Sequence, residues 1–92
     1  MLIIIYKMKT IKDKNYSFNH VKRRLKKRHD IDITIEEYDW LCYSVKNIED
    51  KPIHIEKQKG DIQKVYDIMY GNKIIRVVWS ETRQLVTTAL VP

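Results

Sequence analysis

The densest run of reactive side chains is His20-Val21-Lys22-Arg23-Arg24-Leu25-Lys26-Lys27-Arg28-His29. On a helix, residues four apart share a face, so His20, Arg24 and Arg28 stack along one edge with Lys27 nearby. Like charges at that spacing cost about 0.2–0.5 kcal/mol per pair, a repulsion that a bound anion relieves. A histidine among guanidiniums can shuttle a proton while the arginines hold a phosphate bidentately and neutralise charge that grows in a transition state. The plainer reading of the same residues is a solvated charged face.

Other chemistry-bearing residues are sparser. His29 falls at the expected end of this helix, where an imidazolium suits the dipole and covers free carbonyls. His54 alternates with Ile53 and Ile55 and reads as an exposed strand residue. No His/Cys spacing matches a zinc site, and Asp30 with Asp32 lack a third acid for magnesium, so no metal and no cofactor are expected. Cys42 lies on an apolar helical stripe and reads as a core residue, whereas Trp40 lies off that stripe, free to pack or to stack on a base. Tyr66, Tyr70 and Trp79 supply further aromatic faces, most simply as core. In the closing stretch Gln84-Leu85-Val86-Thr87-Thr88-Ala89-Leu90, successive residues face opposite sides, so one of the two threonines points toward the helices or the rim beside them.

These side chains need elements to hold them. Leu2-Ile3-Ile4-Ile5-Tyr6-Lys7-Met8 has the composition of a short strand, followed by a lysine-rich connector to Asn15. Ser17 is then a candidate N-cap for a basic helix in which Phe18, Val21 and Leu25 recur, ending at the Asp30-Ile31-Asp32 break. A second helix begins at Thr34, with Glu37 completing a capping box, and carries the stripe Tyr38, Leu41, Cys42, Val45 and Ile48. Beyond Pro52 the pattern becomes β, with turns at Lys59-Gly60-Asp61, Gly71-Asn72 and Ser80-Glu81-Thr82-Arg83. Ile62, Val65, Tyr66 and Met69 also fit a helical period, but the Gly-Asn turn after them favours a strand. The expected fold is α+β: two helices packed on one face of a three- to four-stranded antiparallel sheet, with a short extra N-terminal strand.

Ninety-two residues form one modest core, so 1–92 reads as a single domain and a multi-domain cofactor enzyme is excluded. The one cysteine cannot form an internal disulfide, which points to a reducing, cytoplasmic setting. The apolar run at Leu2–Ile5 is too short for a signal-peptide core or a membrane span. Net charge is +6, and it is unevenly spread. Residues 1–29 hold ten Lys/Arg against Asp13 alone, while residues 30–92 hold eight against eleven acids. Such a basic first third suits a partner carrying phosphates, with RNA the foremost polyanion.

The segments FNHVKRRLKKR, DITIEEYDWL and KIIRVVWSETRQLVTTALVP resemble the small phage and toxin ribonucleases of the barnase, EndoU, colicin and RelE class, over roughly residues 16 to 91. The resemblance implies a helices-then-sheet fold that cleaves RNA without metal. It assigns His20 as the helix histidine, Arg24 and Arg28 as the following basic positions and Thr87 as the late-strand hydroxyl, with Arg76 as a further match. His20, Arg24 and Thr87 are thus the expected catalytic residues, and Arg23, Lys27, Arg28 and Arg76 the expected nucleic-acid contacts. An acidic antitoxin or a phage structural protein would be the protein partner, in a bacterial host cytoplasm or a virion. No second acid/base group stands out, so the alternative is a non-catalytic nucleic-acid-binding or structural phage protein.

Overall fold

The computed structural model describes the backbone of residues 2–92 and the side chains of residues 14–92. Its elements are α1 (Leu2–His29), α2 (Ile35–Lys46), β1 (His54–Gln58), β2 (Asp61–Tyr70), β3 (Lys73–Ser80) and β4 (Leu85–Leu90). The four strands form one antiparallel sheet in the order β1-β2-β3-β4. The expected α+β architecture is what the chain adopts.

The expected N-terminal strand is not found. No strand from residues 2–8 joins the sheet, and the stretch falls within the span of α1, with side chains outside the described residues. Ser17 is likewise not an N-cap, because α1 runs through it. No Gly or Pro precedes Pro52, and extending an existing helix needs only one residue ordered per new hydrogen bond. Ser17 instead joins Val21 and Leu25 on the buried stripe, at 2% exposure, with its hydroxyl beside the Tyr38 phenol.

The end of α1 is set by Asp30, whose φ of 55° leaves the helical region. Its N–H and that of Ile31 turn back to the carbonyls of Lys26 and Leu25. Left-handed backbone is tolerated by Asp because a short polar side chain interacts locally, and here the carboxylate pairs with Lys26 at 3.0 Å. α2 opens on the expected reciprocal cap: Thr34 Oγ1 accepts from Glu37 N–H, and Glu37 Oε1 accepts from Thr34 N–H. Tyr38, Leu41, Cys42 and Val45 are its buried residues.

Two of the hairpin turns place glycine at a left-handed position. Lys59-Gly60 joins β1 to β2 with φ of 20° and 79°, and Gly71 opens the β2–β3 turn at 61°; a left-handed backbone costs glycine little. Asp61 braces the β3–β4 loop, accepting from Ser80 Oγ and from Thr82 N–H. One face of the sheet carries Tyr66, Ile75, Val77, Trp79, Val86 and Ala89 into a core shared with Val21, Leu25, Ile33 and the α2 stripe. Residues 62–70 are strand, matching the preference for the Gly-Asn turn over the helical period.

Candidate functional site

β4 is an edge strand, and unpaired edge backbone normally invites other chains. Here the helices cover it. Val86 donates its N–H to Cys42 Sγ and accepts from the Tyr38 hydroxyl at 2.6 Å. Arg28 Nη1 donates to Ala89 O, and His29 Nε2 lies 3.0 Å from Leu90 O. Both helices are therefore tied to β4 by named polar interactions as well as by the core.

That arrangement fixes the edge of α1. Val21 and Leu25 are fully buried, so the residues one position back or three ahead must lie at the boundary of the core. His20, Arg24 and Arg28 are the half-buried row, while Arg23 and Lys27 are exposed. Among the described residues, Arg23, Arg24, Lys27 and Arg28 form no ion pair with a carboxylate. Four cations thus line the side of α1 without local neutralisation.

His20 Nε2 lies 3.2 Å from Thr88 Oγ1, across 68 positions of sequence. On the other side of the ring, Arg23 Nη2 lies 3.5 Å from Nδ1. A guanidinium can only donate, so Nδ1 is assigned as the acceptor and Nε2–H as the donor to Thr88. Burial holds the imidazole below its ordinary value of 6.5, and the charges of Arg24, Arg23 and Arg28 act in the same direction. The ring is neutral at pH 7, with the Nδ1 lone pair turned toward Arg23.

The late-strand hydroxyl at this ring is Thr88, in place of Thr87. A β-bulge explains the exchange: Val78 pairs with Thr88 and the adjoining Trp79 with Val86, which leaves Thr87 as the extra residue. The Thr87 hydroxyl turns to Val78 O at 3.4 Å. Bulges re-aim side chains in this way, and simple alternation along the strand does not foresee them.

Arg76 shares the sheet face of Thr88 by register, but its guanidinium is engaged. It holds Asp67 bidentately at 2.8 and 3.0 Å, a direct cross-strand pair. The hydrogen bond lowers the Asp67 carboxyl below its usual range. The structure therefore brings together His20, Arg23, Arg24, Arg28 and Thr88, with Lys27 on the same helix, and leaves Arg76 and Thr87 engaged elsewhere. His29 hooks β4, and its own carbonyl is covered by Lys73 Nζ at 2.6 Å, so its expected role in covering helix carbonyls passes to a lysine.

The remaining expectations are placed simply. His54 is exposed on β1. Cys42 is buried, and burial raises its thiol pKa, which is the setting of a core residue. Trp79 and Tyr66 are core, whereas Trp40 is exposed and meets Tyr43 edge to face beside Glu36 and Asp39. No helix among the described residues is long and apolar enough to cross a membrane. Fold and cluster together define an α+β domain with a neutral histidine set in a cationic helix edge. Comparison with known protein families, curated proteins and solved structures finds no match for this chain.

Proposed function

We propose that this protein is a metal-independent endoribonuclease-like enzyme acting on RNA phosphodiesters at His20. The observation that carries the reading is the meeting of His20 with Thr88 and three arginines, residues 68 positions apart in sequence at the hydrogen bond itself. The neutral imidazole is available as a base: near neutral pH it accepts a proton without first having to lose one. Nδ1 takes the proton of a ribose 2′-hydroxyl, and the freed oxygen attacks the adjacent phosphorus as the 5′-oxygen leaves. The products are a 2′,3′-cyclic phosphate and a 5′-hydroxyl, with the leaving oxygen protonated by water.

Each neighbour has a distinct role in this scheme. Arg24 offers guanidinium N–H groups to the phosphoryl oxygens, whose negative charge grows in the transition state, while Arg28, about two turns beyond His20 along α1, adds positive charge at longer range. Arg23 swings from Nδ1 onto the phosphate, which uncovers the lone pair when substrate is present. Thr88 holds Nε2–H and hence the ring orientation, so it is a positioning residue. Among the described residues no second acid/base side chain touches His20, and this favours one competing reading, a module that binds RNA without cutting it.

Wild-type protein and His20→Ala incubated with total bacterial RNA in EDTA separate the two. Fragments with cyclic phosphate ends from wild type alone support the enzyme. Intact RNA in both reactions, with salt-sensitive RNA binding, overturns it in favour of the binding module.

A further inference from the structure

An open cleft of about 520 Å³ lies where the end of α1 meets the β2–β3 hairpin and the chain after β4. Its walls include Lys27, Arg28, Asp30, Lys73, Ile74 and Val91. We infer that this cleft is a second nucleotide subsite, taking a phosphate and base of the same RNA strand that lies at His20. The inference rests on the proposed RNA reading and specifies its substrate: an extended single strand of several nucleotides, bound along the side of α1.

The chemistry of the walls carries this. Lys27, Arg28 and Lys73 line the cleft with three cations, Lys73 with one N–H on His29 O at 2.6 Å and two further donors, and the one acidic side chain, Asp30, is drawn to Lys26 at 3.0 Å. Arg28 spends one N–H on Ala89 O, which fixes the guanidinium at the lip and leaves other donors for an anion. Ile74 and Val91 are 55% and 59% exposed, an apolar floor set among cations. Phosphate-directed cations beside an apolar surface suit the two halves of a nucleotide, since its base is flat and poorly hydrated while its phosphate is charged.

Continuity with the His20 site comes through the helix. Eight residues separate His20 from Arg28, about 12 Å at 1.5 Å per residue. One phosphate cannot touch both ends of that path, whereas successive phosphates of one strand can. Arg24 lies between them on the same half-buried row, so the cationic track is unbroken. The base-paired A-form helix buries the faces of its bases, so the apolar floor selects single strands.

The test is binding of two uncleavable probes, a 2′-O-methyl hexanucleotide and a 2′-O-methyl dinucleotide, to wild type, Ile74→Glu and Lys73→Gln. Ile74→Glu places a carboxylate on an exposed strand position, so the fold is retained even if Lys73→Gln loosens the end of α1. The expected result is that wild type binds the hexamer at least about tenfold tighter than the dimer, and that Ile74→Glu removes most of that advantage without weakening the dimer. Hexamer affinity unchanged in both variants overturns the subsite while leaving the His20 reading in place. Failure of wild type to bind either probe overturns both.

Discussion

At the scale of single residues, the site depends on a histidine kept neutral by its neighbours. Removing one of them moves its titration in a known direction. Arg24→Gln deletes a cation that disfavours the imidazolium, so the His20 titration followed by NMR, and the acid limb of cleavage, both shift to higher pH. Thr88→Val removes the partner of Nε2–H and is expected to lower kcat between about tenfold and a hundredfold with little change in KM. Thr87→Val, which gives up only a long hydrogen bond to Val78 O, is expected to leave kcat near wild type. Equal reductions from the two valines would show that the bulge does not select the functional hydroxyl. Stability follows the same histidine. Because the folded-state pKa of His20 is depressed, the unfolded chain takes up more protons as pH falls through 6.5, and the fold loses stability in that window. His20→Gln should therefore show a smaller drop in urea midpoint between pH 7.5 and 5.5 than wild type.

At the scale of elements, the helices serve the site by covering β4. Tyr38→Phe leaves the Val86 carbonyl without its buried donor and is expected to cost about 1–3 kcal/mol in chemical denaturation. Thr34→Ala breaks the capping box and is expected to cost about 1 kcal/mol. Much of this is legible in the sequence, because it is local. Thr34 and Glu37 sit three apart before an apolar stripe, and Gly71-Asn72 sits between two β-rich runs. What is not legible depends on tertiary parity. The bulge that passes the hydroxyl role from Thr87 to Thr88 has no local signal, since both neighbours are threonine. Arg76 reads as available because its partner Asp67 is nine residues away, across a hairpin whose register sets the pair. Ser17 has the chemistry of a cap, yet the buried stripe it shares with Val21 and Leu25 places it inside a helix. The row His20, Arg24 and Arg28 is readable from spacing alone, because four-residue periodicity is a property of the helix itself.

At the scale of the whole molecule, charge is the organising feature. Several acids of the chain are committed to lysines and arginines away from the His20 row, as in Lys14–Asp39, Lys64–Glu81 and Arg76–Asp67. The unneutralised cations of the helix edge therefore collect beside His20. Binding of single-stranded RNA should weaken steeply with salt, and neutralising Arg24 and Arg28 together should flatten that dependence by about 0.7 for each phosphate no longer neutralised. An unchanged slope would place the RNA elsewhere on the surface. Chemical rescue of His20→Ala tests directly whether His20 is the base. Single-turnover cleavage of an RNA oligonucleotide in EDTA is followed with and without added imidazole. Removing His20 is expected to slow cleavage by about 10²–10⁴-fold, with imidazole partly restoring it in proportion to its neutral form. Cleavage by His20→Ala at the wild-type rate would contradict this role of His20.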